Sequence, residues 1–203
     1  MNRVLIQDRL TGCLFLLPLL AYGLGNALFD AALKTTTVAD PVLIAAGTLL
    51  WILNAVTVVA VAAILYPLLQ QYSKAVAAAY LAARLMEAVL LLMGMFALRA
   101  GIHTELTPEP MFRNAALFFY RDCYQVAMLL LGTGSMAFCG LLCRHRLLPL
   151  SWSVWGFAGY GFLAAGAVAE LCGLHWGLYA SIPGGLFELT LGIRLIGRGW
   201  NRL

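Results

Sequence analysis

Apolar residues fall along this chain in long runs separated by short polar segments. The first run extends from about Leu10 to Phe29, and the polar stretch Asp30 to Asp40 joins it to Pro41. Proline suits a helix start, because the N–H it lacks would have no partner there anyway. A second run covers Val42 to about Leu69, and Gln70 to Lys74 makes a tight connection to a third, Ala75 to Leu98. After the longest polar segment, Arg99 to Asn114, a fourth run goes from Ala115 to Cys143. It is longer than hydrocarbon requires, so its first two turns are expected at the membrane interface. Arg144-His145-Arg146 and Pro149 interrupt the chain before the fifth run, Leu150 to Cys172. The sixth follows Ser181-Ile182-Pro183-Gly184-Gly185 and ends near Gly197, and that Pro-Gly-Gly is expected to be a capping turn. A bilayer-spanning helix needs about 20 mostly apolar residues. The pattern predicts an all-α fold, a polytopic six-transmembrane-helix bundle, with residues 1–203 forming one domain.

Composition narrows the class. Of 203 residues, 63% are apolar and only 11% charged, against roughly 25% charged in a soluble domain, and the mean hydropathy is +0.88. Too little polar surface is left to clothe a water-soluble globule, which excludes a soluble enzyme, a disordered chain and a disulfide-stapled secreted module. The net charge of +4 reads as topology rather than as a nucleic-acid surface, which would need a dense basic face. Arg3, Arg9, Lys74, Arg144, Arg146, Arg198 and Arg202 fall on one side of a six-helix arrangement, and Lys34, Arg99 and Arg113 on the other. That bias places both termini in the cytoplasm of a cell (inner) membrane, with an uncleaved first helix and membrane lipids as the standing partners. The five cysteines, Cys13, Cys123, Cys139, Cys143 and Cys172, lie in or beside apolar runs and are expected to be buried packing residues.

The informative residues are charges inside the runs: Arg84, Glu87, Arg121, Asp122, Glu188 and Arg194. An ionised group at the bilayer centre costs at least ~2.5–3.5 kcal/mol, so such residues turn inward and pair. Arg84 and Glu87 share a helical face with Tyr80. A buried network linking Arg84, Glu87, Glu188 and Arg194 near mid-membrane is therefore expected, either fixing helix register or holding a polar ligand. A second polar cluster is expected at the outer face, from Arg121, Asp122, Tyr124, Glu170 and His175. Helix 5 carries Gly161, Ala165 and Ala169 at four-residue spacing, with Gly156, Gly159 and Gly166 nearby, which suits close helix packing within the bundle or, failing that, an oligomer seam.

Several chemistries lack their residues. All three histidines, His103, His145 and His175, sit in loops or at helix ends, and Lys34 and Lys74 are in loops, so haem ligation across the bundle and a retinal Schiff base have no candidates. Gly132-Thr133-Gly134-Ser135 has no histidine in the bundle to activate its serine and reads as a packing element. An outer-face metal site from His103, Glu105, Glu109, Glu170 and His175 has no spacing that demands it. No cofactor, metal or catalytic set is assigned.

Arg84-Leu85-Met86-Glu87-Ala88 resembles the R-x-x-E-A signature of a bacterial membrane family known as domain of unknown function 4386. Arg146-Leu147-Leu148-Pro149, Gly156, Gly159-Tyr160, Phe187-Glu188-Leu189 and Arg198-Gly199 continue the likeness through the chain, while Gly192-Ile193-Arg194 departs from the aromatic usual there. The resemblance implies a six-helix bundle and supplies no activity. The residues themselves favour non-enzymatic binding or transport of a small solute, ion or amphipathic molecule through the Arg/Glu network. A lipid-modifying enzyme acting at the outer face and a structural or regulatory subunit of a membrane complex are the alternatives.

Overall fold

The computed structural model describes residues 2–34, 40–102 and 110–200. Those residues form six helices: α1 (Asn2–Lys34), α2 (Pro41–Gln70), α3 (Lys74–Ile102), α4 (Pro110–Arg144), α5 (Leu150–Leu171) and α6 (Gly177–Gly197). The local chemistry sets the helix starts. Asp40 accepts from the Val42 amide at 2.8 Å with Pro41 at the first helical position, which satisfies an orphan donor and needs none from the proline. Ser73 Oγ accepts from the Val76 amide at 3.3 Å at the head of α3.

Each helix packs on its neighbours in sequence, and α6 packs back on α1, so the six close into a ring. The main core draws on all six helices, with Phe15, Leu65, Tyr80, Phe138, Tyr160 and Phe187 among its members. It lies toward the end that carries the chain termini, where Leu69, Leu147, Leu148 and Trp200 belong to the same cluster. A smaller cluster of Phe29, Ile44, Trp51, Met95 and Leu98 holds α1, α2 and α3 together at the opposite end. Between lipid-soluble helices the hydrophobic effect gives little drive to associate, and close backbone approach supplies the contacts instead. A Cβ on Gly12 would lie 2.6 Å from the Gly192 carbonyl oxygen, one on Gly132 2.8 Å from that of Tyr160, and one on Gly159 3.0 Å from the Gly184 nitrogen. These three seams, α1–α6, α4–α5 and α5–α6, therefore require a residue without a side chain.

Five helices are long and apolar enough to cross a membrane: α2, α5 and most of α1, α3 and α4. The sixth falls short because Gly177, Ser181, Gly184, Gly185, Glu188 and Arg194 dilute its apolar content. Large apolar side chains such as Leu20, Val56, Phe96, Phe118 and Phe162 are exposed on the outside of the ring, the reverse of a soluble globule and the arrangement that a lipid solvent favours. The chain is a multi-pass membrane protein.

Three expectations need correction. Ser181 to Gly185 is not a capping turn: α6 begins at Gly177 and Pro183 lies inside it. The glycines serve the crossing instead, since Gly159 of α5 rests against the Pro183-Gly184 backbone. Cys13 and Cys172 are exposed, whereas Cys123 and Cys139 are buried and Cys143 partly so, all five as free thiols. In helix 5 the tight contacts to α6 run through Gly156, Gly159 and Gly166, while Ala165 of the Gly161–Ala165–Ala169 stripe is exposed. One anchor was not foreseen. Asp8 is 4% exposed and accepts from the Trp200 amide at 3.3 Å, which ties the end of α6 to the start of α1 just past Gly199 (φ 68°).

Gly159→Val is expected to push α5 and α6 apart and to cost about 1–3 kcal/mol. Gly140→Ala, at a helical site with nothing within 4 Å of the new Cβ, should leave the fold intact and raise stability by up to about 1 kcal/mol. Thermal unfolding of the two variants in detergent measures both effects.

Candidate functional site

Helical spacing puts Tyr80, Arg84 and Glu87 on one face of α3, and α5 and α6 bring Tyr160 and Glu188 against them. Arg84 Nη1 donates to Glu87 Oε2 at 3.0 Å and Nη2 to Glu188 Oε1 at 2.8 Å. Its Nε donates to the Tyr80 hydroxyl at 3.2 Å, and the guanidinium carbon stands 5.5 Å from the centre of the Tyr80 ring. All three guanidinium nitrogens are thus engaged, in the planar fork that suits arginine to bind carboxylates. Tyr160 donates its hydroxyl to Glu188 Oε1 at 2.8 Å, so that oxygen takes two donors. Arg84 and Glu87 are 4% and 3% exposed. The network reaches across the ring from α3 to α6, and a buried group without its partner would be costly.

Above this network, away from the terminal end, lies a partly open cavity of about 230 Å³ with lining from all six helices. Arg84, Glu87, Tyr160 and Glu188 form its floor, where the main core ends. Leu19, Val58, Leu91, Met128 and Leu163 make its walls largely apolar. Four rings stack in sequence beside it: Tyr120 on Trp51 (5.6 Å between centroids, 8° between planes), Trp51 on Tyr22 (5.9 Å, 14°) and Tyr22 on Tyr124 (6.0 Å, 15°). Tyr22 and Tyr124, at the end of that column, line the cavity. Asn54 lines it too and is 4% exposed, yet no side-chain hydrogen bond reaches its amide from any described residue. Between α1 and α6 the wall is bare. Gly23 and Gly185 both border the cavity, and nothing lies within 4 Å of the position a Cβ would take on either.

Of the mid-membrane residues singled out in the sequence, Tyr80, Arg84, Glu87 and Glu188 come together as described. Arg194 does not join them. Six residues after Glu188 on α6, it faces a different direction, and its guanidinium stacks 5.3 Å above the Trp152 ring near the terminal end. The second cluster does not form as a unit. Arg121 and Asp122 lie on the exposed face of α4, so these two charges do not turn inward, and among the described residues no ion pair joins them to Glu170 or His175. Tyr124, next but one in the chain, points the other way into the cavity. Glu170 accepts from the Gly177 amide at 2.9 Å and stands 3.6 Å from His175 Nδ1. A carboxylate at that place serves the positive end of α6. His103, Glu105 and Glu109 of the outer-face metal alternative lie outside the described residues.

Three lining residues were missed. Asn54 stood out as the one amide in the most apolar run, and a polar side chain there is itself a signal. Tyr160 was noted only within a motif, although a buried tyrosine hydroxyl needs a partner. Tyr22 had no signal beyond its aromatic type.

A family model described as a domain of unknown function (DUF4386) matches residues 10–199. No curated protein and no solved structure matches the chain significantly.

Arg84→Met should be strongly destabilising, by about 3–5 kcal/mol, because it leaves two carboxylates facing one another without a cation. Tyr160→Phe removes one donor to a charged acceptor and should cost about 1.5–3 kcal/mol. Chemical or thermal unfolding in detergent ranks the two.

Proposed function

The chain belongs to the DUF4386 family, and from that premise we propose that it is a six-span bacterial membrane protein that binds or moves a small solute, ion or amphipathic molecule in its central cavity. The observation that carries the reading is the cavity itself, a space bordered by every helix with an ionic network as its floor. Register could be fixed by an ion pair packed without free volume. Here the pair borders a void that is a little smaller than the roughly 300–1,000 Å³ of pockets for drug-sized ligands, so the occupant is a small one. The reading is of non-enzymatic binding or transport.

The sixth helix is included as a span on geometric grounds. Its 21 residues extend about 32 Å at ~1.5 Å each, close to the ~30 Å of a hydrocarbon core, and it completes the ring between α1 and α5. With six spans the termini share a side, and the excess of arginine and lysine at that end supports a cytoplasmic placement in the inner membrane.

Two measurements test these statements. A green fluorescent protein fused to the C-terminus should fluoresce in cells while an alkaline phosphatase fusion at the same site stays inactive; the opposite pattern would reverse the topology. Native mass spectrometry should show the wild-type protein carrying a small-molecule adduct. Gly185→Leu, which has room for its side chain but fills the cavity, should lose that adduct while melting normally. A wild-type spectrum without any adduct counts against an occupied site.

A further inference from the structure

We infer that the cavity selects a small lipophilic cation, an ammonium carrying apolar substituents, with the charge held between Glu188, Asn54 and Tyr124. The inference rests on the binding reading above and names its ligand class. Charge comes first. The lining contains two carboxylates and, among the described residues, one basic side chain, Arg84. Each of the three guanidinium nitrogens already donates to Tyr80, Glu87 or Glu188, and with both carboxylates ionised the floor carries one negative charge in excess. Glu188 is the more open of the two acids, with its side chain 12% exposed against 5% for Glu87. Its Oε1 takes both donors, and Oε2 receives none from the described residues. In a low-dielectric interior that carboxylate calls for a proton or for an external cation.

A second observation, independent of the acids, selects the kind of cation. Asn54 is 4% exposed and borders the same cavity, and no described residue hydrogen-bonds its side-chain amide. Its carbonyl oxygen can present the negative end of a dipole to a cation. Tyr124 terminates the ring stack with Tyr22 on one face and contributes an aromatic surface to the lining, and such surfaces attract ammonium groups through the ring quadrupole. A bare divalent ion would ask for about six oxygen ligands, more than one carboxylate oxygen and one amide supply. Apolar walls from Leu19, Met128 and Leu163 suit hydrocarbon substituents. Open space at Gly23 of α1 and Gly185 of α6, both on the lining, leaves that side of the cavity free of side chains and adds no polar group to it.

The test compares three probes of one size on the purified full-length protein: benzyltrimethylammonium, its neutral carbon isostere neopentylbenzene, and the anion benzenesulfonate. Binding of each is measured by equilibrium dialysis against protein-free micelles. The cation is expected to bind saturably and at least about tenfold more tightly than either of the others. Glu188→Gln should weaken it about tenfold or more. Tyr124→Leu should weaken it about three- to tenfold, and Tyr124→Phe, which keeps the ring, should restore it. Should Glu188→Gln fail to fold, the three-probe comparison on the wild type decides. Equal or tighter binding of the neutral or anionic probe overturns the ligand class and leaves the binding site standing. Absence of saturable binding for all three overturns both the class and the binding reading.

Discussion

A single guanidinium serving two carboxylates is the constraint on which the centre of this bundle depends. Arg84 holds Glu87 on its own helix and Glu188 across the ring, while Tyr80 accepts from its Nε and Tyr160 donates to Glu188 Oε1. In water such an arrangement would be worth little, because exposed ion pairs contribute under about 1 kcal/mol. Within a membrane the alternative to pairing is an ion in hydrocarbon, and the same contacts become obligatory. They fix how α3, α5 and α6 sit relative to one another, and they place an imbalance of charge at the bottom of a cavity.

The rest of the molecule divides about this floor. Toward the terminal end the ring is filled: Phe15, Phe138, Phe187 and Leu191 close it, and Gly12 meets Gly192 with no room for a side chain between them. Toward the other end the helices leave a gap, and tyrosine and tryptophan rings from α1, α2 and α4 stack along it. Close packing below carries the stability that loose packing above forgoes. A cavity in a membrane protein persists when its rim is held from elsewhere, and here the glycine seams and the Asp8–Trp200 tie hold it.

Charges near the far end obey a different rule. Arg121 and Asp122 stand on the exposed side of α4. Glu170 spends its carboxylate on the first amide of α6. Shared depth, by which the sequence groups these residues, does not bring them together, because the rotation of each helix decides which of them faces inward.

The sequence by itself determined the solvent, the helices and the floor of the site. Apolar runs without charge report hydrocarbon because backbone amides there must pair within their own helix, and Arg84, Glu87 and Tyr80 are bound to meet because three- and four-residue spacings put them on one helical face. Glu188 could be named from depth alone. Only the tertiary structure decided that Arg194 turns away to Trp152, that Pro183 and the glycines beside it continue a helix to make a crossing, and that Asn54, Tyr22 and Tyr124 border one space. Those outcomes depend on how each helix is rotated about its axis and on which helices become neighbours. Neither is written in local periodicity, because in a lipid-facing bundle both the inward and the outward faces are apolar and the pattern that would mark them is flat.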